Sequence, residues 1–151
     1  SLPIALELAE QAAIEKYRLL SQFKRDRKAA RDWGESLLRN FRDDVMCLNN
    51  LAWTILTTEP LADRDIRLAV RAARAAVKAS GAQAAYILDT YARAMYAIGW
   101  VDEAIRTQQR AIKLAPPEQR KELEASLRYY RDCAAVRSEL GRVSRTSQAE
   151  R

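Results

Sequence analysis

Histidine is absent from the 151 residues, which removes Ser-His-Asp and Cys-His nucleophile systems, imidazole zinc sites and haem ligation through imidazole. Glycine and proline number four each and aromatics make up 7% of the chain, too few for a many-stranded, turn-rich β fold. An all-α fold is expected. The two cysteines, Cys47 and Cys133, lie 86 positions apart without a CxxC. They form neither a disulfide framework nor a redox motif, and both read as small buried apolar residues. No apolar run approaches the roughly 20 residues that cross a bilayer, and the first residues lack the basic start and small-residue cleavage site of a signal peptide. No membrane span is expected.

What the chain does have is 48% hydrophobic residues in 17.2 kDa, enough for one domain or one short repeat array. Leu48, Leu51, Ala52 and Ile55 recur 40 positions later as Leu88, Tyr91, Ala92 and Met95, the spacing that lines one helical face. Each set precedes a second helical stretch with two alanines seven apart: Ala69 and Ala76, then Ala104 and Ala111. Small side chains two turns apart on one face let a neighbouring helix approach closely. The later unit, residues 85–117, reads AYILDTYARAMYAIGWVDEAIRTQQRAIKLAPP. Its large-large-small-large helix, the turn glycine Gly99, the Asp102-Glu103-Ala104 opening of the second helix, Ala111 and Pro116 together resemble a tetratricopeptide repeat of bacterial type. Gln108 departs from the pattern, which carries an aromatic there; Tyr129 or Tyr130 is expected to fill that volume.

Residues 45–81 fit the same pattern with a five-residue insertion between the helices, around residues 57–65. Pro60 breaks the first helix and Asp65 suits the N-cap of the second. The insertion reads as a surface loop. Residues 1–44 form a degenerate N-terminal helix pair. A long helix over about 3–25 carries Ile4, Leu8, Ala12, Tyr17, Leu20 and Phe23 on its apolar stripe, and a second over about 26–40 presents Ala29, Trp33 and Ser36. Residues 118–139 form a C-terminal capping helix with Leu123, Leu127 and Tyr130 on one face, and residues 141–151 read as a disordered basic tail. The resemblance therefore implies a single array over 1–140: about seven helices in antiparallel pairs, stacked as a right-handed superhelix.

In this family the first helix of each unit lines a concave groove. The resemblance thus implies a partner-binding groove on Asn49, Asn50, Trp53 and Thr57, on Tyr86, Asp89, Arg93 and Tyr96, and, from the last helix, on Lys121, Glu124 and Arg128. Asn50 stands where many relatives hydrogen-bond a peptide backbone, a task that suits an amide because it donates and accepts. Two readings stand for several of these residues. Asn49 and Asn50 bind a partner or cap the preceding turn; Trp53 anchors a ligand or packs under the N-terminal helix; Asp89 and Arg93, at i and i+4, face a ligand or pair with each other. Asn49 and Trp53 replace the Lys and Asn of the carboxylate-clamp subset, so apolar and amide contacts are expected, with Arg93 and Arg128 available to an acidic group.

The net charge of +6 is concentrated. Residues 16–42 hold nine basic side chains against Asp26, Asp32 and Glu35, with Lys24, Arg25, Arg27, Lys28 and Arg31 as the densest patch. Such a patch attracts phosphates, yet no base-stacking motif accompanies it. Paired acids such as Asp43-Asp44 and Asp102-Glu103 sit at helix starts, where they complement the dipole, and adjacent positions diverge by about 100°, which rules them out as an acid/base pair. No phosphate loop occurs. The expectation is a non-catalytic protein-interaction scaffold that takes a peptide or helical segment of a partner, with no enzyme activity, cofactor or metal. The alternatives are self-association as a homo-oligomer or docking within a larger protein and, third, a basic nucleic-acid-binding module.

Overall fold

The computed structural model describes residues 2–149, and over that span the chain is all-helical. Its seven α-helices are α1 (Leu2–Arg18), α2 (Arg27–Asn40), α3 (Val45–Thr58), α4 (Ile66–Ser80), α5 (Ala85–Ala97), α6 (Val101–Leu114) and α7 (Pro117–Ala149). Aspartates start three of them: Asp26, Asp44 and Asp65 accept from the backbone N–H groups of Ala29, Cys47 and Leu68 at 2.9, 3.0 and 3.2 Å, each satisfying one orphan donor of a first turn. Pro117 opens α7, where its missing N–H costs nothing. Gly81 and Gly99, at φ +65° and +87°, end α4 and the α5 segment in the left-handed region. Ala82 N–H then reaches the Val77 carbonyl and Trp100 N–H the Met95 carbonyl, so each chain reversal closes its own helix end.

Each helix from α3 to α7 packs on the one before it, and α1 with α3, α2 with α4 and α3 with α5 also touch. The alanine pairs sit where these helices approach: Ala69, Ala76, Ala104 and Ala111 are fully buried. The core runs from Ala13 and Tyr17 through Leu51, Ile55 and Leu68 to Met95, Ala104 and Tyr130. Gly34 of α2 is pressed against the Leu68 and Tyr17 side chains, and a Cβ there would collide with the Leu68 Cδ2 methyl; the close crossing of α1, α2 and α4 depends on its lack of a side chain.

The N-terminal pair departs from its expected register. α2 buries Ala30, Gly34 and Leu37, one position on from the Ala29, Trp33 and Ser36 face. Trp33 instead bridges helices, its Nε1 donating to the Ala13 carbonyl at 2.9 Å under the Lys16 ammonium, 3.8 Å from the ring centre. Of the expected α1 stripe, Tyr17 is buried and Leu20 half-buried, while Ile4, Leu8, Ala12 and Phe23 are exposed, because α1 meets the array only over its C-terminal half. α1 ends in a π-helical turn, Leu19–Phe23, after which Arg25 adopts φ +50°. The residues 57–65 insertion holds a 3₁₀ turn, Leu61–Asp63.

Two further expectations need correction. Cys47 is buried, but Cys133 is only half-buried. The described part of the basic tail, 141–149, is not disordered: it continues α7, with nearly every residue exposed. No proline or cap interrupts the ladder after Glu139, and a single Gly141 costs a helix only about 1 kcal/mol. Residues 150 and 151 lie outside the described residues. No described helix is long and apolar enough to cross a membrane.

Candidate functional site

An open groove of about 750 Å³ lies between the end of α3, the start of α4, α5 and α7, lined by Leu56, Arg64, Ile66, Arg93, Tyr96, Ser126, Tyr129, Tyr130 and Arg137 among others. Helical period explains the α7 contribution: residues 126, 130 and 137 fall on one face, with 125 and 129 beside it. Tyr96 stacks on Tyr130 with ring centres 5.0 Å apart and meets Tyr129 edge-on at 5.4 Å. Its hydroxyl lies 3.2 Å from that of Tyr129 and 3.3 Å from Cys133 Sγ; hydrogen bonding to Cys133, then to Tyr129, holds the Tyr96 proton in place well above the usual phenol range. Burial pushes the Tyr130 phenol up to about 12. The floor is therefore a neutral aromatic cluster with hydroxyl donors.

Three guanidinium groups surround it. Arg93 lies over the Trp53 ring, 5.0 Å from its centre, with a buried Nε that has no hydrogen-bond partner. Arg137 donates to the Gly99 carbonyl at 3.2 Å and Arg64 Nε to the Glu59 carbonyl at 2.9 Å. None of the three is in an ion pair among the described residues, and no carboxylate lines the groove.

Of the residues expected on this surface, Arg93 and Tyr96 line the groove and Trp53, 38% exposed, flanks Arg93. Asn49 does not: it is 6% exposed, with its Oδ1 unpartnered, because α3 is enclosed by α1, α2, α4 and α5 and so buries more than one face. Asn50 is half-buried. Tyr86 is exposed away from the groove, donating to Met46 Sδ at 3.2 Å. Asp89 does not pair with Arg93; it accepts from Gln108 Nε2 at 2.7 Å. Burial raises the Asp89 carboxyl above its ordinary range, while Gln108 and the charge of Arg93 pull it back. Arg128 is exposed and outside the groove lining. The volume at Gln108 is filled by Gln108 itself, fully buried and also donating to the Leu123 carbonyl at 3.2 Å. Tyr129 and Tyr130 are engaged with Tyr96. Leu56, Arg64, Tyr129 and Arg137 were not among the expected groove residues; on α7 the expected positions 121, 124 and 128 lie on the face opposite 126, 130 and 137.

The basic patch is largely neutralised. Arg27 pairs with Asp63, Lys28 with Asp32 and Arg31 with Asp65, the last two at 2.7 Å, while Arg71 of α4 pairs with Glu35 of α2. Lys24 and Arg25 have no such partner among the described residues. Elsewhere, hydrogen bonding to Asp44, burial and like charges push the Glu10 carboxyl up to about 7, but Asp44 is already engaged in capping α3. The chain matches no protein-family model, no curated protein and no solved structure.

Proposed function

We propose that the chain is a non-catalytic interaction module, an array of tetratricopeptide type, that holds an extended acidic segment of another protein in the α3–α5–α7 groove. The observation that carries this reading is the groove's lining: three arginines outside any ion pair among the described residues, around a tyrosine cluster, with no carboxylate. An acidic side chain there gains charge-assisted hydrogen bonds from planar donors, and flanking apolar or aromatic residues gain area against rings already held by mutual stacking. Helix pairs linked by alanine-mediated contacts supply the rigid frame.

Fluorescence anisotropy with labelled Glu-rich and Lys-rich peptides, each carrying interspersed Leu and Tyr, tests it. The acidic series should bind, weaken with salt, and lose at least about tenfold in affinity with Arg93→Glu/Arg137→Glu while circular dichroism stays unchanged. Equal binding by both charge series, or no effect of charge reversal, would sink the proposal. A second reading, self-association, is favoured by Ile4, Leu6 and Leu8, each more than half exposed at the start of α1. Sedimentation showing a monomer at every concentration removes it; a dimer dispersed by Ile4→Glu/Leu8→Glu supports it.

A further inference from the structure

A second cavity, which shares Arg64 with the groove, is smaller and more polar. It encloses about 350 Å³ between the end of α1, the start of α2 and the residues 59–65 connection, and is lined by Tyr17, Ser21, Gln22, Arg25, Arg27, Arg31, Glu59, Asp63, Arg64 and Asp65. That volume is at the lower end of the range of about 300–1,000 Å³ typical of small-molecule sites. Its wall is mostly committed already. Asp63 is held by Arg27, Asp65 by Arg31 and by its cap of α4, and Arg64 by the Glu59 carbonyl.

Two groups are not. Glu59, the residue that ends α3, is 4% exposed, and neither of its carboxylate oxygens accepts a hydrogen bond. The Tyr17 and Ser21 hydroxyls lie near enough to moderate the charge, yet burial dominates and raises the carboxyl above its ordinary range. A carboxylate held out of water, with the Tyr17 and Ser21 hydroxyls and the Asp65 backbone N–H near it but no well-aligned hydrogen bond accepted, still gains from a cation that reaches it. The second group is Arg25, exposed at the rim without an ion pair among the described residues, on a backbone of φ +50°. A side chain in the left-handed region is a strained conformation that such sites tolerate where a group must be aimed.

We propose that this cavity binds a small zwitterion of the α-amino acid class, its ammonium donating to the Glu59 carboxylate and its carboxylate facing Arg25. A bare amine would meet Arg25 as well as Glu59, and a bare anion would meet Glu59; a ligand carrying both charges suits the two side chains that line this one cavity. Neither Glu59 nor Arg25 lines the acidic-segment groove, although Arg64 lines both sites.

Differential scanning fluorimetry and calorimetry of the full chain against the twenty α-amino acids, followed by the N-acetyl and carboxamide forms of the best binder, test the proposal. At least one free amino acid should raise Tm and bind, and both blocked forms should bind at least about tenfold more weakly. Glu59→Gln, which keeps the shape, should abolish binding without lowering the Tm of the unliganded protein, because it removes an unpartnered buried charge. Arg25→Ala, at an exposed position, should weaken binding about tenfold and keeps the test valid if Glu59→Gln fails to fold. The proposal is overturned if no amino acid binds, if the N-acetyl form binds as well as the free one, or if either variant binds like the wild type.

Discussion

The buried amide at Gln108 offers the sharpest test of how the array holds together. Gln108→Leu keeps a side chain of comparable volume, one bond shorter, but deletes the Nε2 donor that serves Asp89 at 2.7 Å and the Leu123 carbonyl at 3.2 Å. The Leu123 carbonyl keeps its place in the α7 ladder, so the main loss is the bond to the charged Asp89, of order 1.5–3 kcal/mol for such a group. Part is recovered, since the Oε1 atom of Gln108 is itself buried without a partner. The expected cost is about 2 kcal/mol, or a Tm lowered by about 4–8 °C for a chain of this length. Asp89→Ala removes the stranded carboxylate, so the double variant should lose less than the sum of the singles, with a coupling of about 1–2 kcal/mol in urea denaturation. The pH dependence follows with a definite sign. Losing the Gln108 bond raises the Asp89 carboxyl further above its ordinary range, and a carboxyl with a raised folded-state pKa weakens the fold as pH climbs from its unfolded value through its folded one. The deficit of Gln108→Leu should therefore be smallest below about pH 4 and full at pH 7. A deficit that is equal at both pH values, or a coupling below about 0.5 kcal/mol, would refute this reasoning.

Asp65→Ala should cost about 1–2 kcal/mol by removing the α4 cap and the pair with Arg31, whereas Asp65→Asn should lose well under half of that; chemical denaturation of both variants checks the difference. A disulfide reagent at pH 8 should modify one thiol of the native protein, and peptide mapping should find it at Cys133, because burial pushes the Cys47 thiol up to about 12; a labelled Cys47 would contradict its placement. Deleting residues 141–151 should change unfolding free energy by less than about 0.5 kcal/mol, since the described part of that segment packs against nothing. In hydrogen exchange, amides 141–149 should exchange far faster than those of residues 123–130.

Much of this architecture depends on local rules and was legible along the chain. The helix set follows from apolar spacing, the start of α4 from Asp65, the break after α3 from Pro60, one reversal from Gly99, and the stacked contacts from Ala69, Ala76, Ala104 and Ala111. The α7 face of Leu123, Leu127 and Tyr130 is buried where periodicity places it. Site residues were less legible. Arg93 and Tyr96 line the α3–α5–α7 groove, but Asn49 is in the core, Asp89 is bound to Gln108 and α1 exposes part of its expected stripe. Periodicity tells which residues share a face; it does not tell how many neighbours enclose that face, or which of two chemically suitable partners lies at the right distance. α3 buries Asn49 because four helices surround it, and Glu59, inside the insertion, is buried with neither carboxylate oxygen accepting a hydrogen bond. Those outcomes depend on long-range packing, which sets the dielectric and the available donors at each atom, and only the tertiary structure decided them.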